Sequence, residues 1–372
     1  MTLINSLNRM TLLLLLGLQS GYAQPAETMD QTFFQPSTTI GGYGELHYNA
    51  VWSESGTQTG KLDFHRFVIF LSHSWSERWS LKAELELEHN LVEPPGENGA
   101  LELEQAYVDY HLSPRFGFQA GVILPSVGFL NQYHEPPLFF GVERPDYSKL
   151  IIPTTWFGNG VSIYGELYGI DYRLVIMEGL DGTQISPESG IRSARQMGVK
   201  SDATHPLVNL SAELRKIESL VVGASISINE VPDTLDGRSR SNRVILSELH
   251  IDWTPGNFTM RGELGQISYQ EEVLVNGVSK AQGFYFDLGY NLGQRAGFRG
   301  DLIPWVRYNY NNTAASVTTM ASALTDENNE TYWQMGLQVK PLPQVVYKVD
   351  FGEKSQAGNT DRLLNLGVGY MF

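Results

Sequence analysis

From Ile40 to Phe372 apolar and polar residues alternate with a period of two, the spacing that puts unlike side chains on opposite faces of extended strands. The stretch Trp79–Asn90 shows this most plainly. Leu81, Ala83, Leu85 and Leu87 fall on one face, and Lys82, Glu84, Glu86 and Glu88 on the other. A helix would scatter these eight positions around its circumference, so the pattern predicts a strand despite good helix formers. The last stretch behaves alike. Leu364, Leu366, Val368, Tyr370 and Phe372 share an apolar face, and Leu363, Asn365, Gly367, Gly369 and Met371 form a mostly small or polar one. An apolar, aromatic strand edge left open invites aggregation, so something must cover it.

The same alternation predicts sixteen strands, near 38–52, 61–75, 79–90, 101–112, 116–125, 158–168, 170–179, 207–215, 219–230, 243–253, 258–270, 281–291, 301–311, 331–340, 344–352 and 361–372. Connections at Ser76–Arg78, Ser113–Arg115, Pro255–Gly256 and Pro341–Pro343 are short. Those at 53–60, 91–100, 126–157, 180–206, 231–242, 312–330 and 353–360 are longer and polar. Aromatic residues bracket several short turns: Trp75 with Trp79, Tyr110 with Phe116, Tyr168 with Tyr172, and Trp253 with Phe258. Such pairs read as an interfacial girdle. The expected fold is all-β: a sixteen-stranded transmembrane antiparallel β-barrel with short periplasmic turns and long extracellular loops. A soluble β-sandwich would pack apolar face on apolar face and gives no reason for the short and long rhythm. Closing the last strand on the first removes both edges and satisfies backbone groups that lipid cannot.

At the N-terminus Arg9 precedes the apolar run Met10–Leu18, and Gly21-Tyr22-Ala23 forms a small-x-small site. Residues 1–23 therefore read as a secretory signal peptide, too short in its apolar part for a membrane-spanning helix. Residues 24–37 become a short periplasmic segment, too small for a plug domain, and 38–372 the barrel. Cleavage removes Arg9 alone among the charges, so 26 Lys+Arg become 25 against 41 Asp+Glu, a net charge of −16. An acidic balance disfavours nucleic acid as a partner. The absence of cysteine argues against a disulfide-stapled secreted fold.

The runs Ile40–Asn49 (IGGYGELHYN), Leu62–Phe67 (LDFHRF), Leu103–Tyr110 (LEQAYVDY) followed by Ala120–Pro125 (AGVILP), and Pro304–Tyr308 (PWVRY) together resemble bacterial porins, particularly the broad phosphate-selective (O/P-like) group. The likeness covers most of the mature chain. It implies a sixteen-stranded, trimeric outer-membrane diffusion channel for small hydrophilic solutes or ions; separately, no cofactor or metal is expected. Tyr370 and Phe372 resemble the C-terminal signal read by the barrel-assembly machinery. A phosphate-selective pore needs a basic track, and the chain shows none.

Parity places the acids Glu45, Glu84, Glu86, Glu88, Asp109, Glu166, Asp171, Glu213, Glu248, Asp252, Glu263, Asp287 and Asp350 toward the lumen, with the bases Arg66, Lys82, Arg173, Arg215, Arg261, Arg307, Lys340 and Lys348. Rows of acid in a narrow aqueous tube concentrate cations, so the expected channel is cation-preferring or weakly selective. The segment 126–157 is far longer than ordinary loops and carries His134, Glu135, Glu143, Arg144, Asp146 and Lys149. Folded inward, it would form a constriction; folded outward, it would pack on the rim. His134-Glu135 and the other histidines stand in no HExxH, paired-Cys or GxSxG pattern, so no enzymatic activity is expected. An outer-membrane lipase or deacylase is the competing class.

Overall fold

The computed structural model describes residues 34–92, 99–235, 238–271 and 275–372, and the predicted signal peptide lies outside them. Ser37–Phe372 forms one unit. Its strands are β1 (Ser37–Trp52), β2 (Gln58–Ser74), β3 (Trp79–Glu88), β4 (Leu101–Ser113), β5 (Phe116–Ile123), β6 (Gly158–Leu167), β7 (Ile170–Met177) and β8 (Leu207–Leu214). There follow β9 (Leu220–Leu235), β10 (Arg238–Trp253), β11 (Phe258–Tyr269), β12 (Val278–Tyr290), β13 (Asp301–Val317), β14 (Asn329–Leu342), β15 (Val345–Gln356) and β16 (Asn359–Met371). Each pairs antiparallel with its sequence neighbours, and β16 pairs with β1 to close the barrel. At the seam the Gly42 amide donates to the Phe372 carbonyl at 3.0 Å, and the Phe372 amide donates back at 2.9 Å. The edge that alternation left open is thereby paired.

Burial runs opposite to that of a soluble domain. Leu62 is 72% exposed and Trp333 61%, whereas Glu84 is 1% and Arg307 0% exposed. Apolar side chains face out and polar ones face in, as a lipid-embedded barrel requires. A charge turned outward at mid-membrane costs about 2–4 kcal/mol, which makes parity a strict constraint on sequence. The turn aromatics lie on the outside and touch: Trp79 packs on Tyr110 at 4.5 Å and Trp253 on Phe258 at 6.4 Å between ring centres.

Two of the expected long loops are largely strand, and a third is shortened by strand at both ends. β9 reaches Leu235 and β10 resumes at Arg238, so the described residues of 231–242 are paired strand. Within 353–360 the turn is only Ala357-Gly358, both at positive φ as a tight two-residue hairpin needs. In 312–330, β13 runs on to Val317 and β14 restarts at Asn329, with short helical turns at Thr319–Ala321 and Ala323–Glu327 between them. Polar residues that no longer alternate with apolar ones still satisfy their backbones by pairing, and alternation cannot register that.

Among several register shifts, two β-bulges turn residues near the inward loop. Glu45 faces Arg66 but Leu46 faces Phe64, which leaves His65 as the extra residue of β2. Glu84 faces Gln105 but Leu85 faces Leu103, which leaves Glu104 extra in β4. Glu104 consequently turns inward and is buried.

After β5 the chain leaves the wall and crosses the lumen before returning at β6. This segment contributes Val127, Leu130, Phe139, Tyr147, Ile151, Ile152 and Trp156 to one buried apolar cluster. The inner wall adds Val175, Leu207, Val231, Leu246, Ile267, Val278 and Tyr285, and the β7–β8 connection adds Leu180, Ile185 and Ile191. The core of the molecule therefore lies inside the barrel, between the inward loop and the wall from β4 to β13. On β16 the small lumen-side residues are what admit the loop. A Cβ on Gly367 would stand 2.9 Å from Val142, and one on Gly369 2.4 Å from Pro136.

Candidate channel and its constriction

The inward loop is rich in proline and has little regular structure, so its backbone groups need partners from elsewhere. Side chains of the wall supply them. The carbonyls of Pro137, Leu138, Phe139, Gly141 and Glu143 accept from Lys340 (2.6 Å), Arg261 (2.7 Å), Gln338 (2.9 Å), Lys348 (2.7 Å) and Arg307 (3.3 Å) respectively. Its amides are met in the same way. Phe129 donates to Glu263 at 3.1 Å, Val142 to Asp350 at 2.7 Å, and Tyr147 to Asn309 at 2.9 Å. Six of the charges that parity assigned to the lumen wall are thus engaged in holding the loop.

The loop's own charges bind the wall in turn. Glu143 accepts from Asn49 at 2.9 Å and contacts His47 at 2.9 Å, and Asp146 pairs with Lys354 at 2.5 Å. His134 lies 3.4 Å from Glu84 and 3.5 Å from Glu104. Arg144 reaches Thr155 at 3.2 Å and the His134 carbonyl at 3.5 Å, within the loop itself. Glu135 is half-buried, with one carboxylate oxygen lacking a partner, and Lys149 is exposed. From the β7–β8 connection, Arg192 donates to the Thr154 carbonyl at 2.8 Å and Arg195 to that of Pro153 at 2.8 Å.

The remaining predicted wall residues sort by position. Glu45 and Glu86 share Arg66, at 2.8 and 3.3 Å, and all three are buried. Asp252 pairs with Arg261 at 2.5 Å, and Arg307 with Asp287 at 2.6 Å. Glu248 contacts Ser225 and His250, Asp109 accepts from Tyr164 at 2.9 Å, and Arg173 donates to Gln119 at 3.2 Å. Lys82 is exposed, and Glu166 accepts from Gly169 at its own turn, away from the loop. The row Glu84, Glu86 and Glu88 does not form an open acidic track, because Glu84 and Glu86 are covered and only Glu88 lines the cavity described next.

Beside the loop, against β1, β2, β15 and β16, lies a cavity of about 570 Å³ lined by Glu45, His47, Asn49, Lys61, His65, Arg66, Glu88, Glu143, Arg144, Asp146, Lys149, Arg192 and Lys354 among others. Four of its lining residues are acidic and six are Lys or Arg. Sequence reasoning missed Glu104 and the inward face of Asp63 and His65 because bulges reverse their parity. It missed Arg192 and Arg195 because a loop's path carries no periodic signal.

No family model matches this sequence. An uncharacterized protein of Aquifex aeolicus (strain VF5) is 29% identical over 352 residues, spanning 90% of this chain and 80% of that one. Among solved structures, OmpF of Salmonella typhi in complex with daunomycin superposes with a TM-score of 0.61 at 12% identity, over 90% of this chain and 97% of that one. The anion-selective porin of Comamonas acidovorans gives 0.60 at 11% identity, over 91% and 100%. The outer-membrane channel DcaP of Acinetobacter baumannii gives 0.59 at 11%, over 91% and 97%. The fold is that of the outer-membrane porins, a closed sixteen-stranded antiparallel barrel.

Proposed function

We propose that the chain is an outer-membrane porin, a water-filled diffusion channel for small hydrophilic solutes or ions with weak charge selectivity. The observation that carries this reading is the polar, charge-lined cavity left open beside the inward loop. The wall taken whole is acidic, which draws cations, while the cavity has two more bases than acids, which draws anions. Opposed fields leave weak selectivity in place of the marked cation preference that the wall count alone supports. Planar-bilayer recording on purified, folded protein tests this: stepwise conductance with a reversal potential near zero in a potassium chloride gradient is expected. Folded barrels that give no conductance, or that hydrolyse acyl esters, overturn it.

The wider setting belongs to the same proposal. Residues 1–23 direct export, the barrel-assembly machinery inserts the chain with Tyr370 and Phe372 as its signal, and outer-membrane lipid surrounds it. The motifs at Ile40–Asn49 and Pro304–Tyr308 support a place beside the O/P-like porins and a homotrimer. Deleting Phe372 is expected to lower the amount of folded protein in cells without changing single-channel conductance. Normal assembly of the deletion would refute the role of Phe372, and a monomeric mass in mild detergent would refute the trimer.

A further inference from the structure

The arrangement that the channel reading leaves unexplained is a pair of buried carboxylates with too little positive charge to meet them. Glu45 and Glu86 share Arg66, but among the described residues Glu84 and Glu104 have His134 as their one ion-pair partner. All three side chains are nearly sealed, Glu104 at 2% and His134 at 3% exposure. Burying two carboxylates against one imidazole leaves charge uncompensated even when the ring is protonated, and such charge is costly away from water. Glu104 Oε2, the oxygen that faces His134, accepts no hydrogen bond at all.

The distances point the same way. Charge-assisted hydrogen bonds run at about 2.7–2.9 Å. His134 Nε2 stands 3.4 Å from Glu84 Oε1 and 3.5 Å from Glu104 Oε2. Two ligands bound tetrahedrally at about 2.0–2.1 Å from one cation are about 3.3–3.4 Å apart. The three donor atoms all lie within 4.8 Å of one another. The opposite oxygen of Glu84 accepts from Gln105 at 2.5 Å, which orients the carboxylate toward His134. The β4 bulge brings Glu104 inward beside Glu84.

We propose that Glu84, Glu104 and His134 form a binding site for one divalent transition-metal ion, which fastens the inward loop to β3 and β4. Two carboxylates and a neutral imidazole suit zinc or manganese and neutralise a double positive charge. The fourth position is left for water. Two ligands come from the wall and one from the loop, so occupancy ties the loop to β3 and β4, at the edge of the hydrophobic cluster.

The test uses the mature chain folded in detergent, stripped with chelator and dialysed against micromolar zinc. One zinc per chain is expected by elemental analysis, with X-ray absorption showing mixed nitrogen and oxygen ligation that includes an imidazole. Glu104→Gln and His134→Gln should each weaken binding by roughly 100-fold or more, the upper end of what loss of support to a metal costs. His65→Gln, in the neighbouring Asp63, His65 and His89 cluster, should leave binding unchanged. Gel mobility before and after boiling reports whether each variant is a folded barrel. A variant that does not fold leaves the decision to the wild-type absorption spectrum, where a site without imidazole sinks the proposal. So does a wild type that holds no zinc, binding that survives both ligand substitutions in folded protein, or binding that vanishes in His65→Gln.

Discussion

Beneath β7 to β12 the inward loop meets the wall through Leu207, Leu246, Ile267 and Tyr285 against Ile151, Ile152 and Trp156, all of them buried. Beneath β14 to β16 and β1 to β3 the same loop meets the wall through Lys340, Lys348, Asp350, Asn49 and His47, and a cavity remains. One strap of chain is held by burial on one side and by single hydrogen bonds on the other. Burial is non-directional, and each fully buried large side chain contributes about 1.5–3 kcal/mol, so the first side fixes where the loop lies. Net hydrogen bonds contribute about 0.5–1.5 kcal/mol each, but they are directional and tolerate water beside them. That combination positions the loop across the lumen and leaves a cavity beside it.

The largest effect should come from abolishing the comparison. Excising most of 126–157, with a short Gly-containing connector kept, removes both contacts and is expected to raise single-channel conductance several-fold. Unchanged conductance would mean that the loop does not limit the passage.

Arg307 stands between the two halves, fully buried, paired with Asp287 and donating to the Glu143 carbonyl. Arg307→Met strands a buried carboxylate and should cost about 3–5 kcal/mol, read as a lower temperature of gel-mobility loss. Adding Asp287→Leu should recover much of that loss. If the double variant is no better than the single, the pair is not the source of the cost.

Trp156→Ala on the dry side is expected to cost about 3–5 kcal/mol through the cavity it leaves. Glu143→Gln on the wet side keeps the side-chain shape and loses only a partly exposed ion contact, worth up to about 1 kcal/mol. Equal effects would erase the distinction between the halves. Between them lies Gly367→Leu, which drives into Val142 and should cost about 1–3 kcal/mol by overpacking.

The smallest effect is on selectivity. Changing Lys61 and Lys149 to Gln should move the reversal potential toward cation preference, more at 0.1 M than at 1 M salt, since screening shortens from about 10 to about 3 Å. Replacing Glu84 and Glu86 together by Gln should move it less, because both are covered. A larger shift from the covered pair would place the ion path behind the loop.

Much of this was legible in the chain as written. Sixteen strands, their inner and outer faces and the closure of β16 on β1 follow from alternation, because a strand's facing is set by its nearest neighbours in sequence and lipid penalises every exception. The polar and glycine face of the last strand was legible too, though not its purpose, which is to admit Val142 and Pro136. What only the tertiary structure decided is which inward charges meet water. Inward apolar residues such as Leu246 and Ile267 have a reason only once the loop lies on them. Glu104 reads as outward until the bulge beside Glu84 turns it in. Arg261, Lys348 and Arg307 read as selectivity charges until loop carbonyls are found at their tips. Facing is a local property, repeated every second residue. Coverage depends on where a loop of irregular backbone finds donors and apolar surface far away in sequence, and no periodicity encodes that.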